Sequence, residues 1–203
     1  MKLLSAFAVV VTNLLLTVYY YRLIYRNRIK PSLAMWVFFT LAVSMSLFTY
    51  LKEDSHSLWD NVLNTADLFF VSAVALSVLL FGDRSTRFSR FDLVCLVVVV
   101  LIAVFWLITQ NHLVTNLLVQ AILVIAYFPV IHRMIRTREN HESYPIWGGM
   151  LLAAVLALFS ASGKLALVYT LRAVISIILL MAFMHYTDLR QRKTKSVSSC
   201  KAG

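Results

Sequence analysis

The sequence predicts an all-α polytopic membrane protein whose seven transmembrane helices form a 3+1+3 parallel repeat, with the N-terminus outside and the C-terminus in the cytosol. Composition, the lengths of the apolar runs and an internal similarity lead to this prediction. Of the 203 residues, 61% are apolar and 14% are charged. Soluble domains contain about 45–50% apolar and about 25% charged residues, so an ordinary soluble domain is excluded.

Seven apolar runs have the length of a membrane crossing, which takes about 20 residues at a rise of about 1.5 Å each. The runs cover residues 3–21, 33–51, 58–81, 91–109, 113–131, 144–161 and 165–186. Because the connections are too short for soluble domains, we expect a single membrane domain. Its parts are a first three-helix repeat (1–81), a linker with the fourth helix (82–112), a second three-helix repeat (113–187) and a basic cytosolic tail (188–203).

Lys and Arg residues are distributed unevenly between the two ends of these runs. Four of the 19, namely Lys2, Lys52, Lys164 and Arg172, lie on one side, and the other fifteen lie on the opposite side. Cytoplasmic loops are enriched in Lys and Arg, so the fifteen mark the cytosolic side. The net charge of +10 therefore indicates topology and not a nucleic-acid interface. Residues 1–20 also have the charged start and apolar core of a signal peptide, but no small-residue cleavage pattern follows them.

Shifting the sequence by 111 positions aligns runs 1, 2 and 3 with runs 5, 6 and 7. The polar and aromatic matches are Arg22 with Arg133, Ser32 with Ser143, and Trp36 with Trp147. The offset covers four crossings, an even number, so the two repeats would have the same orientation in the membrane. Run 4 carries no charge between positions 93 and 108 and is expected to be a lipid-facing linker.

The second repeat carries the residues of a family resemblance. Tyr127, Phe128 and Pro129 precede a basic turn at 132–138, and Ser143 opens the next run. With the 3+1+3 layout, this stretch resembles the SWEET and PQ-loop family of seven-helix transporters, although Val130 replaces the Gln of the defining Pro-Gln pair. The resemblance implies a small-solute transporter, often a homo-oligomer, with an outside N-terminus.

Ionisable groups inside a membrane usually face the bundle interior or a water-filled path. Counted from Leu58, Asp67 lies nine residues into run 3, near the expected midplane. Asp60, Asn64 and Asp67 recur at spacings of four and three and would share one face of a helix. We expect Asp67 and Asn64 to bind a polar solute, with Asp67 exchanging a proton; the alternative is a structural Asp that holds helices together. The resemblance also implies a substrate role for Asn64.

Other polar residues of the runs are expected to complete this site or to join helices by hydrogen bonds, because an unpaired amide in hydrocarbon is costly. They are Asn13, Gln120 and Ser44. Arg172 and Asp60 could form an ion pair that gates the outer side, although Arg172 could also extend to the interface. Trp36 and Trp147 begin the second helix of each repeat and are expected to be interfacial residues or an inner gate.

The sequence therefore predicts an alternating-access carrier of a small polar solute in the plasma membrane or bacterial inner membrane, with proton exchange at Asp67 as the expected coupling. The alternative is a non-transporting seven-helix receptor or scaffold that acts through its basic cytosolic face. No catalytic motif, cofactor motif or metal-ligand pattern is present, and Cys95 and Cys200 cannot form a disulfide framework. Besides the solute, anionic lipid headgroups at the basic loops are expected partners.

Overall fold

The computed structural model describes residues 2–29, 31, 33–53, 57–81, 90–140 and 142–201. All regular secondary structure in these residues is helical. The helices are α1 (Lys2–Tyr25), α2 (Leu33–Glu53), α3 (Val62–Phe81), α4 (Arg90–Thr109), α5 (His112–Ile125), α6 (Phe128–Thr137), α7 (Tyr144–Ala157) and α8 (Lys164–Lys201).

Five helical stretches among the described residues are long and apolar enough to cross a membrane. They are Lys2–Tyr25, Met35–Glu53, Val62–Phe81, His112–Thr137 and Lys164–Gln191. Two shorter apolar helices, Leu96–Thr109 and Tyr144–Ala157, fall below that length. The protein is thus α-helical and membrane-embedded, which confirms the coarse part of the predicted fold class.

Two boundaries differ from the predicted runs, and both differences have local causes. α3 begins at Val62 and not at Leu58, because Asp60 Oδ2 accepts hydrogen bonds from the backbone N–H and the hydroxyl of Ser57 and so forms a turn. Run 5 is divided into α5 and α6 near Tyr127. Pro129 lies in the first turn of α6, where a missing backbone N–H is tolerated.

We refer to α1–α3 as the first unit and to α5–α8 as the second unit, and the main contacts between the two are as extensive as those within them. In the first unit α3 packs against both α1 and α2, and in the second α8 packs against α7 and against α5 and α6. Between the units, α1 contacts α7 and α2 contacts α5. These contacts are exchanged among themselves if α1 is exchanged with α5 and α6, α2 with α7, and α3 with α8, whereas the smaller α3–α7 contact has no comparable counterpart between α8 and α2. α4 contacts α5 and α2.

The bundle has two chemically different ends. At the first, the Ser162 end, Ser162 receives a hydrogen bond from Lys2 Nζ at 3.4 Å and from the Tyr50 hydroxyl at 2.9 Å. At the second, the tryptophan end, Trp36 and Trp147 lie near the starts of α2 and α7. Both Trp side chains are buried, with 1% of their surface exposed.

Candidate functional site

A small cavity lies between the two units. It has a volume of about 20 Å³, which is room for about one water molecule. Its polar lining residues are Asp67 of α3, Tyr127 between α5 and α6, and Tyr169 and Arg172 of α8. Its apolar lining residues are Phe39, Val43, Leu63, Val71, Leu123, Met150, Ala154, Ala173 and Ile177. All helices of both units except α1 and α6 contribute to this lining.

Tyr169 connects the two charged side chains of the cavity. Its hydroxyl donates a hydrogen bond to Asp67 Oδ2 at 2.9 Å, and its ring centroid lies 4.6 Å from Arg172 Cζ. Tyr169 and Arg172 are three residues apart, so they share one face of α8. A carboxylate from the first unit and a guanidinium from the second therefore face the same cavity.

Arg172 is held in place by a side chain of the second unit. Its Nε donates to Gln120 Oε1 at 3.2 Å, and Gln120 Nε2 donates to Asn116 Oδ1 at 3.1 Å and to Ser46 Oγ at 2.9 Å. Only the last of these bonds crosses between units, from α5 to α2. Gln120 is thereby oriented with its oxygen toward Arg172.

The same hydrogen bonds extend through a layer of buried polar side chains. Asn116 Nδ2 donates to the Ser46 carbonyl at 2.9 Å and to Thr49 Oγ1 at 3.0 Å. The side-chain amide of Asn64 contacts Ser46 Oγ at 3.0 Å. Asn64, Ser46 and Asn116 are at most 1% exposed. Their mutual hydrogen bonds compensate for the cost of removing these groups from water.

Hydrogen bonds join the two units at the Ser162 end. The Ser162 backbone N–H donates to the Asp60 carbonyl at 2.9 Å, in addition to the bonds from Lys2 and Tyr50 described above. The Ser5 hydroxyl of α1 donates to the carbonyl of Leu156 in α7. These contacts hold the start of α1 and the end of α2 against the connection between α7 and α8.

Aromatic side chains fill the tryptophan end. Consecutive ring centroids lie 5.2, 5.8, 5.4 and 5.7 Å apart along the series Tyr20, Trp36, Phe39, Tyr127 and Trp147. The contact between Phe39 and Tyr127 crosses between the units. With its two ends bonded or packed in this way, the cavity has no room for a solute larger than water in this conformation.

The structure brings together three of the five residues predicted to bind the solute. Asp67 lines the cavity, Gln120 contacts Arg172, and Asn64 belongs to the same polar layer. Asp67 lies five residues from the start of α3, or about 7.5 Å, so it is closer to the Ser162 end than a count from Leu58 predicts.

Asn13 and Ser44 lie outside the cavity lining. Asn13 lines a separate groove of about 350 Å³ between α1 and α3, and its Nδ2 donates to the Val9 carbonyl at 3.3 Å. Ser44 Oγ donates to the carbonyl of Thr40 at 2.6 Å, one turn earlier in α2.

The residues expected to act as gates also occupy different positions. Arg172 bonds to Gln120, whereas Asp60 bonds to Ser57. Trp36 and Trp147 are buried and are not interfacial side chains. They lie on either side of the contact between Phe39 and Tyr127.

Sequence reasoning missed Tyr169, Ser46 and Asn116. Tyr169 precedes Arg172 by three positions and Asn116 precedes Gln120 by four, so helical spacing from the polar residues already selected would have found both. No comparable signal in the sequence distinguishes Ser46 from Ser44. In the structure the Ser46 hydroxyl contacts Gln120 of the second unit, whereas the Ser44 hydroxyl bonds within its own helix.

Comparisons with known proteins add no assignment. No family model matches the chain, and no curated protein or solved structure is similar to it. Within the described part of the chain, no three His, Cys, Asp or Glu side chains are grouped so that they could hold a metal ion. The class that the fold defines is a membrane-embedded helical protein with a charged cavity between two packed units.

Proposed function

We propose that the protein is a multi-pass carrier of a small polar solute that binds between the two units and crosses the membrane by alternating access. One observation carries the proposal: Asp67 and Arg172, from different units, line one cavity, and contacts between the units lie toward both ends of the bundle. Carriers built from repeats place their site at the repeat interface and open it by moving one repeat against the other.

The packing pattern supports a 3+1+3 repeat. Exchanging the two units preserves the main helix contacts, although the α3–α7 contact has no comparable counterpart between α8 and α2, and the repeat offset of 111 residues pairs the buried Trp36 with the buried Trp147. In this interpretation α4 is the linker crossing and α7 is a crossing shorter than the others. The N-terminus is then outside and the basic tail is cytosolic, so thiol labels at Lys2→Cys and Arg26→Cys should react from opposite sides of a vesicle.

The charges of the cavity favour a solute that carries both a cationic and an anionic group. Asp67 would face the cation and Arg172 the anion, while Gln120 keeps the guanidinium oriented. Binding requires the cavity to expand, because its present volume admits about one water. A proton on Asp67 would remove the negative charge from the site and so couple protonation to solute release.

Counterflow in proteoliposomes tests this function. Protein-containing vesicles loaded with a mixture of zwitterionic amino acids should exchange at least one of them, and Asp67→Asn and Arg172→Gln should each abolish the exchange. Asp60→Asn is the matched control, since Asp60 lies outside the cavity, and it should retain exchange. Exchange that survives both cavity substitutions would contradict the proposal.

A second function, a non-transporting receptor or scaffold, is favoured by one specific observation. The tryptophan half of the interface is filled by aromatic rings, and the polar layer stops at Tyr127 and Phe39. If ligand raises the melting temperature through Asp67 and Arg172 while vesicles show no exchange of that ligand, the receptor is the better description.

A further inference from the structure

A second cavity lies at the tryptophan end, away from the central site. It has a volume of about 260 Å³ and lies between the end of α6 and the last membrane turns of α8. Its lining residues are Met134, Ile135, Thr137, Arg138, Glu139, Phe183, Tyr186, Thr187, Arg190 and Gln191. None of them lines the central cavity.

The lining is apolar on one side and cationic on the other. Met134 and Phe183 form part of the apolar side, and the side chains of Ile135 and Tyr186 are 60% and 56% exposed at its edge. Arg138, which ends α6, and Arg190 of α8 supply two guanidinium groups from different elements.

The cavity lies where the chain leaves the hydrocarbon. The apolar run of α8 ends at Tyr186, and the sequence continues with Asp188, Arg190, Arg192, Lys193 and Lys195. A site at this level is next to lipid headgroups, and each nearby Lys or Arg attracts an anionic headgroup by about 1 kcal/mol.

We infer that this cavity binds an anionic phospholipid, with the phosphate between Arg138 and Arg190 and an acyl chain along Phe183 and Ile135. Arginine suits the phosphate because its planar fork of N–H donors matches phosphate oxygens. The Thr137 hydroxyl and the Gln191 amide are further polar groups of the same lining. This inference is independent of the carrier function.

Glu139 makes the inference more specific. Glu139 lines the same cavity and its negative charge disfavours a phosphate there, so the lining has one net positive charge from its two Arg and one Glu. Glu139→Gln should therefore bind the anionic lipid more tightly than the parent protein.

Arg138 allows a test that separates binding from folding. Its backbone has φ 56°, in the left-handed region that glycine adopts at helix ends without steric cost. Its N–H donates to the Met134 carbonyl at 2.9 Å, and glycine keeps that bond. Arg138→Gly should thus fold at least as well as the parent and lose only the guanidinium.

Native mass spectrometry of the full-length protein in detergent, with added dioleoyl phosphatidylglycerol or dioleoyl phosphatidylcholine, measures the effect. We expect the anionic phosphatidylglycerol to bind more tightly than the zwitterionic phosphatidylcholine. Arg138→Gly and Arg190→Gln should each weaken phosphatidylglycerol binding about five-fold. Arg136→Gln is the control, because Arg136 lies on the same helix outside the cavity. Equal binding of the two lipids, or equal loss in all three Arg variants, would overturn the inference.

Competition with a soluble phosphate compound distinguishes a lipid site from a phosphate site. Glycerol 3-phosphate carries the same charge chemistry without acyl chains and should fail to displace the lipid at concentrations equal to that of the lipid. Displacement at equal concentration would show that the acyl chains contribute nothing and would contradict a lipid site.

Discussion

Ser46 lies at the centre of the hydrogen bonds that orient Arg172. Its hydroxyl contacts the amides of Asn64 and Gln120, and its carbonyl accepts from Asn116. Because Ser46 is fully buried, no water can replace the hydroxyl when it is removed. A residue that touches neither cavity charge therefore determines how one of them is held.

Ser46→Ala should lower stability by about 1 to 2 kcal/mol, because it leaves buried amide groups without a partner. Ser44→Ala is a control of identical chemistry, since the Ser44 hydroxyl donates to the Thr40 carbonyl of its own helix. We expect the Ser44 variant to differ from the parent by less than about 0.5 kcal/mol. Thermal melting in detergent compares them, and equal melting temperatures would contradict the assigned network.

Sequence reasoning predicted the polar character of the cavity better than it predicted which residues line the cavity. Asp67, Asn64 and Gln120 could be selected because buried polar groups in apolar runs need partners. Asn13 satisfied the same criterion and lies elsewhere, because periodicity within one helix does not say which neighbouring helix that face contacts. The Asp67–Tyr169 bond depends on packing between α3 and α8, and no local pattern encodes it.

At the scale of helices, the two adjacent glycines of α7 face different surroundings. A Cβ at Gly149 would come within 2.5 Å of Leu16 Cδ2 in α1, whereas a Cβ at Gly148 would meet nothing within 4 Å. The α1–α7 contact is one of the two main contacts between the units, so Gly149 permits a close approach there.

Gly149→Ala should be less stable than Gly148→Ala by about 1 kcal/mol, because Leu16 must rotate out of its position. Both variants gain the same intrinsic helix preference over glycine, so their difference isolates the packing effect. Melting temperatures of the pair measure it. A Gly149→Ala variant as stable as Gly148→Ala would mean that α1 and α7 are not packed this closely.

The aromatic contact between Phe39 and Tyr127 is the central closure at the tryptophan end. Phe39→Ala should open this end by removing the ring that α2 places against α5. A thiol reagent added from the tryptophan side should then label Ala154→Cys, which lines the central cavity, faster than in the parent background. Leu41→Ala, an exposed side chain of the same helix, is the control, and equal labelling rates would contradict a closure at Phe39.

The element boundaries follow from local chemistry that the sequence contains but that hydropathy alone overlooks. The Asp60–Ser57 turn delays the start of α3, and Pro129 divides run 5. Composition and run length were sufficient for a membrane-embedded helical protein, whereas the packing order of the helices required the structure.

For the whole molecule, opposite movement of the two ends is the central consequence of a carrier. The Ser162 end is joined by hydrogen bonds between the units and the tryptophan end by aromatic packing. Alternating access requires that one set of contacts break while the other persists. A receptor or scaffold needs neither opening.

The most direct measurement is the distance between the two units at each end of the bundle. Pulsed electron–electron double resonance measures it in proteoliposomes. Spin labels at Lys52→Cys and Lys164→Cys report the Ser162 end, and labels at Arg26→Cys and Arg136→Cys report the tryptophan end; all four native side chains are exposed. Cys95 and Cys200 are first replaced by Ser. The account predicts that Asp67→Asn or a transported solute lengthens one distance while the other stays short. A single, unchanged distance at both ends under every condition would contradict a carrier.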